Sequence, residues 1–383
     1  MNIMNVLLLG GTGAIGSHLS SVLSTKGYQI CVTSRKKRKD SDNIKYIIGN
    51  AKDLDFLKKT LCLRKWDSIV DFMCYSTKEF SERVDILLSN TRQYVYLSSA
   101  RVYSDTDTDI TEESERLLDT CEDKIYLQTD EYALYKAREE DILFRSGYSN
   151  YTILRPYITY GENRIPLGVW EKETWLRRAL IGKNIAMPRK FMNKKTTLAY
   201  GKDVSSFIAE IICKEKAIGQ IYNIVSSETQ YWKDIANTYI NEINKLKKSA
   251  IKIVEFEECC YSLKSILKCL LIKLKFKKSY YGCYSWSNYQ LIYDREFNRS
   301  FDNSKTLELA PRYIFSKNDD SMRHCIREFV QNQEYSYTNY YWEMVQDRIT
   351  KEKTPLSYFP TLKLKVSYLL IRYVIPSSLI YSK

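Results

Sequence analysis

Histidine is nearly absent: two occur in 383 residues, and the ten cysteines include no C-x-x-C pair. The ligand spacing of a zinc site is therefore missing, and no metal is expected. No apolar run approaches the roughly 18 residues that a membrane-spanning helix needs. Nothing near Met1 reads as a secretory signal, so the scattered cysteines are expected as reduced thiols in a cytoplasmic protein, soluble or peripheral to a membrane. A dense block of one charge is also lacking. The net +13 is spread along the chain, with only local runs at Arg35–Lys39, Lys245–Lys248 and Lys273–Lys278. Such a distribution does not by itself point to nucleic acid, which is not the expected partner. The length suffices for a large core and two lobes.

What is present begins at Asn5. Val6–Leu9 is a short, wholly apolar run of the kind that forms a buried parallel strand, and Ala14 onward reads as helix. Between them, Gly10, Gly13 and Gly16 recur at three-residue spacing. One makes a tight turn, one lets backbone approach a pyrophosphate, and one lets helix pack on strand. The cradle Gly10, Gly11, Thr12, Gly13, Ala14, Ile15 and Gly16 thus predicts dinucleotide binding. The helix ends near Lys26, and Tyr28–Thr33 reads as the second strand. At its end NAD enzymes place a carboxylate for the ribose, whereas here Ser34 and Arg35 open a basic run. Cationic donors suit a 2′-phosphate, so NADP is favoured over NAD. Further strands are predicted at Lys45–Ile48, Ser68–Met73, Tyr94–Leu97 and Tyr151–Leu154, with a helix over Asp53–Leu61. Tyr132 and Lys136 stand on one face of a predicted helix. A phenol with its ordinary pKa near 10 is a poor base at neutral pH, and a neighbouring ammonium favours the phenolate. A second pair at that spacing, Tyr313 and Lys317, follows no serine-bearing strand and reads as coincidence.

GGTGAIG, the Ser98–Ser99 pair followed by Val102–Tyr103, the Tyr132/Lys136 pair and LRPYITYG together resemble the extended short-chain dehydrogenases/reductases, the sugar-nucleotide epimerase/dehydratase family. The resemblance covers about residues 3 to 245. WDSIVDFMCYS and YVYLSS resemble one branch of it, which includes chloroplast stem-loop-binding relatives. It implies an α/β fold: a Rossmann-type doubly wound parallel sheet with a smaller C-terminal substrate lobe. The expected domains are 1–160, to which about 196–225 return, then 161–353, then a basic apolar tail at 354–383.

The resemblance further implies hydride transfer at a carbon of a nucleotide-linked sugar, in a possible homodimer. In that scheme Tyr132 moves the hydroxyl proton, Lys136 assists it, and Ser99 bonds the reacting sugar oxygen. Asn50 and Ala51 lie near the adenine, Tyr75 borders the cofactor, and Pro156 passes the nicotinamide. Tyr103 and Arg295 become substrate contacts, while His18, Ser98 and Arg155 read as structural. Family dehydratases carry an Asp-Glu pair after the catalytic Ser or Thr; Ala100 and Arg101 stand there, which argues against dehydration. Epimerase and keto-reductase remain open, and the rival is an RNA-binding protein of the same fold.

Downstream, the pattern predicts a helix over Trp170–Leu180, a strand at Thr196–Ala199, and a helix over Asp203–Cys213 capped by Asp203. A strand at Ile218–Val225 and a helix over Thr229–Ile243 follow. An apolar helical stripe runs from Leu263 to Leu274, and Ser321–Arg348 reads as mostly helix. Leu362–Ile375 mixes cations with apolar residues, and an interfacial membrane anchor and a partner-docking segment are both open for it.

Overall fold

Val6, Leu7, Leu8 and Leu9 are all fully buried, because the strand they form with Asn5, β1 (Asn5–Leu9), is covered on both faces. In a computed structural model, which describes residues 4–258, 289–311, 313–375 and 381–382, β1 lies in the middle of a seven-stranded sheet. Its companions are β2 (Gln29–Ser34), β3 (Ile44–Ile48), β4 (Trp66–Asp71), β5 (Thr91–Leu97), β6 (Tyr151–Pro156) and β7 (Ile221–Ile224). The order is β7-β6-β5-β4-β1-β2-β3, and every pairing is parallel. This is the doubly wound arrangement that the resemblance implies. The order reverses between β1 and β4, and open α/β sheets bind their ligands at the carboxyl edge of such a switch point.

Alternate residues of β1 feed two cores. Val6 and Leu8 pack with Leu19 and Leu23 of α1 (Ala14–Thr25) and with Val204, Phe207 and Ile208 of the helix Gly201–Ile211. Leu7 and Leu9 pack with Leu57 and Leu61 of α2 (Leu54–Leu61), Trp66, Phe80 and Tyr96. Asp53 caps α2 by accepting the Phe56 amide at 2.8 Å, so it precedes the helix it was expected to open.

The chain forms two units. The first comprises Met1–Gly161, Thr197–Thr229 and Ser300–Asn318; the second comprises Glu162–Thr196, Gln230–Arg299 and Asp319–Lys383. In the second unit Ile185–Pro188 pairs in parallel with Ile253–Glu258, and helices cover Trp232–Lys247 and Tyr340–Thr350. Arg178, 1% exposed, is bonded there by the Asn184 carbonyl and by Glu343, Asp347, Thr350 and Glu352, all within 2.9 Å.

Several expected elements differ. Only Leu176–Leu180 of the 170–180 stretch is α-helical, because Trp170 pairs with Leu167 in a bridge and residues 171–174 form a turn. The strand expected at Thr196–Ala199 is two short ones: Lys195–Thr196 joins Gln230–Tyr231 in the second unit, and Ala199–Tyr200 joins Thr159–Tyr160 in the first. Asp203 lies inside its helix instead of capping it, and its carboxylate accepts the Ser316 amide and hydroxyl at 2.8 and 2.9 Å. The 321–348 stretch belongs to two helices, Asn318–Gln331 and Tyr340–Thr350. The Leu263–Leu274 stripe lies outside the described residues.

Candidate cofactor and catalytic site

The glycine loop divides its tasks among three positions. Gly10 turns the chain with φ of +69°, and a Cβ there would meet Met73 Sδ at 2.6 Å. At Gly16 a Cβ would lie 2.5 Å from the Gly11 Cα, so α1 rides directly on the loop backbone. Gly13 is the reverse case: a Cβ would have nothing within 4 Å, which leaves its backbone open to approach. No side chain caps α1, and its first turn carries no acid. Thr12, Ala14 and Ile15 complete this cradle, whose positive helix end and open backbone fit the pyrophosphate of a dinucleotide. Thr33 fixes the loop from the neighbouring strand by accepting the Gly10 amide at 2.8 Å.

At the end of β2 the Ser34 hydroxyl donates to the Lys36 carbonyl at 2.7 Å, forming a turn that leaves Arg35 exposed. Asn50 is exposed, accepting the Lys52 amide through its own side chain, and Ala51 is buried.

The end of β4 joins the loop to the second half of the site. Asp71 is buried and accepts the Met73 amide at 2.9 Å, the Tyr94 hydroxyl at 2.8 Å and the Tyr75 hydroxyl at 3.2 Å. Burial raises the Asp71 carboxyl above its ordinary range even though these bonds and the charge of Lys136 lower it. Tyr75, expected to border the cofactor, is 2% exposed, and its ring lies under the Arg83 guanidinium at 4.4 Å. The correction is that its side chain belongs to the core, spent on Asp71.

α3 (Tyr132–Arg145) carries the expected pair. Tyr132 is half-buried at the first helical position, and Glu131 caps the helix by accepting the Ala133 amide at 2.8 Å. The Tyr132 ring meets the Tyr135 ring edge-on at 5.3 Å, and the Arg101 guanidinium stands 5.3 Å from its centre. Lys136 is fully buried. Its Nζ donates to the Tyr96 hydroxyl at 3.1 Å and pairs with Glu139 Oε2 at 3.3 Å. Burial works against the ammonium, but Glu139, Tyr132, Cys74 and Asp71 outweigh it and hold Lys136 above its ordinary value. Glu139 is raised to about 7 by burial, against the Lys136 charge and the Tyr96 hydroxyl, which lower it. Its Oε1 has no hydrogen-bond partner among the described residues.

Ser99 follows β5, and its hydroxyl accepts the Arg101 amide at 3.2 Å, capping the short helix Ala100–Val102. Arg101 pairs with Glu131 at 2.8 Å, which together with Tyr132 keeps it charged despite burial. Ser99, Arg101, Tyr132 and Lys136 are thereby brought into one continuous set of contacts.

Beneath it, Glu140 accepts the Ser98 hydroxyl at 2.5 Å and holds Arg155 through two bonds, at 2.9 and 2.7 Å, so Ser98 and Arg155 are structural. Pro156 ends β6, buried and paired with Ile224. Tyr103 corrects another expectation. It is fully buried, accepting from Arg155 and donating to Asn223, both at 2.7 Å, so it faces the interior and not a substrate. Arg295 lies in the second unit, 5% exposed, bonded to the Gly168 carbonyl at 2.9 Å and paired with Asp294. Tyr313 of the coincidental pair donates to the Asp203 carbonyl at 2.6 Å.

Residue patterns alone missed Glu139 and Glu131. The signal for Glu139 was its position one turn after Lys136, a spacing at which opposite charges meet on a helix. For Glu131 it was an acid directly preceding a helix start.

A profile of the NAD dependent epimerase/dehydratase family matches residues 6–225. The "Chloroplast stem-loop binding protein of 41 kDa b" of Arabidopsis thaliana is 28% identical over 236 residues, 57% of this chain and 58% of that protein. The chain thus spans little more than half the length of that relative. Among solved structures, the dTDP-glucose 4,6-dehydratase of Bacillus anthracis in complex with NAD aligns at a TM-score of 0.60, with 17% identity, covering 87% of this chain and 98% of its own. The UDP-glucuronic acid 4-epimerase of Bacillus cereus, in complex with UDP-glucuronic acid and NAD, aligns at 0.59 with 13% identity, covering 86% and 99%. At those identities the likeness is one of fold.

Proposed function

The chain belongs to the NAD dependent epimerase/dehydratase family, and on that premise we propose that it is an NAD(P)-dependent epimerase or keto-reductase acting on a sugar carbon of a nucleotide-linked sugar. The observation that carries this reading is the half-buried Tyr132 under the Arg101 guanidinium at 5.3 Å, with the buried cation Lys136 one turn along the same helix. Core tyrosines here also lie against a guanidinium, as Tyr75 does at 4.4 Å, but Tyr132 is not fully buried, as a phenol that exchanges a proton with a substrate requires.

The nicotinamide group, when bound, supplies the hydride acceptor or donor. The chain's own residues do the rest. The loop Gly10–Gly16 and the start of α1 hold the pyrophosphate. Arg35 reaches a 2′-phosphate, with no carboxylate at the end of β2 to repel it, so NADP is the favoured cofactor. Asn50 and Ala51 line the adenine side, and Pro156 the nicotinamide side. Tyr132 takes the proton of the sugar hydroxyl and returns it, Ser99 bonds the same oxygen, and Lys136 holds its charge beside both phenol and ribose. Arg101 occupies the place where an acid would assist elimination of water, and its own pairing with Glu131 keeps it cationic. That favours epimerisation or reduction over dehydration.

Mass spectrometry of the ligand released from purified protein tests the cofactor. Tyr132→Phe tests the chemistry: it is expected to keep cofactor binding and lose turnover, and retained turnover removes the assignment. A co-purified cofactor that ends each cycle in its starting oxidation state means epimerase; stoichiometric loss of NADPH means reductase.

A second reading rests on the stem-loop-binding relative and on the net +13. It predicts steeply salt-dependent binding of an RNA stem-loop. Such binding without any affinity for NAD(P) reverses the order of the two.

A further inference from the structure

The helix Leu362–Leu369, continued by a wider-wound turn at Leu370–Val374, presents two unlike faces. Ser367, Tyr368 and Ile371 are buried. Tyr368 fixes that side, its hydroxyl donating to Asp347 at 3.0 Å and accepting the Thr354 amide at 2.9 Å. Arg348 holds the far end by bonds to the Arg372 and Ile375 carbonyls. The opposite face is apolar and bare. Leu362 is 76% exposed, Val374 67% and Tyr373 55%, and Val366, Leu369 and Leu370 are each above 40%. Spaced at four, seven, eight, eleven and twelve residues from Leu362, they form one stripe along the helix.

Charge says what such a stripe meets. Lys363, Lys365 and Arg372 flank it, and from Lys353 to Lys383 the sequence holds five cations and no Asp or Glu. A neutral or basic protein groove that buried six apolar side chains would gain nothing from a wholly cationic rim. A lipid surface with anionic headgroups would, since lysine and arginine reach headgroup phosphates while apolar side chains enter the acyl boundary. No helix among the described residues is long and apolar enough to cross a membrane, so this one lies on a surface and does not span it.

We propose that the helical segment 362–374 is an in-plane membrane-binding element, docking the second unit on bilayers that carry anionic lipid. This is independent of the reaction assigned above. The test is co-sedimentation of the whole protein with phosphatidylcholine vesicles, with and without phosphatidylserine. The protein is expected to bind the phosphatidylserine vesicles about tenfold more tightly than the neutral ones, with the difference shrinking as salt rises. Leu362→Glu/Val374→Glu replaces the two most exposed side chains of the stripe, so the fold is retained, as circular dichroism checks. That variant is expected to stay in the supernatant, and Leu369→Glu/Leu370→Glu serves as an independent second pair. Failure of the unaltered protein to pellet with phosphatidylserine vesicles overturns the proposal. So does equal pelleting of unaltered and substituted protein. If light scattering instead finds a dimer that the substitutions make monomeric, with no vesicle binding, the stripe belongs to a second copy and the membrane assignment falls.

Discussion

Each unit of this protein buries a cation among carboxylates, and the two are treated differently. Arg178, in the second unit, spends its guanidinium on five acceptors drawn from residues 184 to 352. One of them, Asp347, would be raised by burial, but Arg178 and bonds from Lys183 and Thr354 outweigh that and hold it below the ordinary carboxylate range. Lys136, in the first unit, has three N–H donors and two partners among the described residues, Tyr96 and Glu139. Its counter-ion is left with one oxygen unbonded and a pKa near 7. A saturated network ties chain segments together. An unsaturated one, kept in the interior against the cost of burial, has capacity left for a ligand.

Replacing the two cations breaks the comparison most directly. Arg178→Met strands several carboxylates, and is expected to lower stability to urea by about 3–5 kcal/mol while NADPH fluorescence still reports binding. If the loss is under about 1 kcal/mol, the network is not the tie described. Lys136→Met is expected to cost less stability, because Glu139 can take up a proton once its partner is gone. Turnover should nevertheless fall by about 10²- to 10⁴-fold, measured on whichever sugar nucleotide the released ligand identifies.

Two smaller effects sharpen the contrast. Arg35 is exposed, with no partner among the described residues. Arg35→Ala should weaken NADPH binding by about tenfold and leave NADH nearly unchanged, as titration of cofactor fluorescence would show. Equal losses for both would remove the 2′-phosphate assignment. Glu139 gains its charge as pH rises through about 7. Because that charge offsets the Lys136 ammonium that the proposed function places at the cofactor ribose, affinity for the anionic cofactor should fall by roughly threefold across this range. Glu139→Gln should make the profile flat, and an unchanged slope would assign the titration to another group.

The sheet was legible because its strands are apolar runs punctuated by turns, and burial on both faces needs little else. The short elements of two to five residues outside that sheet were not. Nothing in Thr196–Ala199 indicates that one half pairs with Gln230 and the other with Thr159, since those partners are set by tertiary packing. At the site, the loop glycines and the Tyr132/Lys136 pair stood out because their chemistry fixes their spacing. Tyr75 and Tyr103 were misread because a tyrosine beside a ligand and one donating to a buried acceptor look alike in a chain with 32 of them. Asp203 was misread because its partner, Ser316, is far along the chain.

The contact between Gly16 and Gly11 has a consequence for the energetics of binding. With helix backbone seated on loop backbone and no side chain between, the amides of the turn have one available shape before any phosphate arrives. Little entropy is left to lose on capture, so affinity can come from a small number of contacts. A methyl group at position 16 would force that joint apart, and the site would then have to be assembled anew at every encounter.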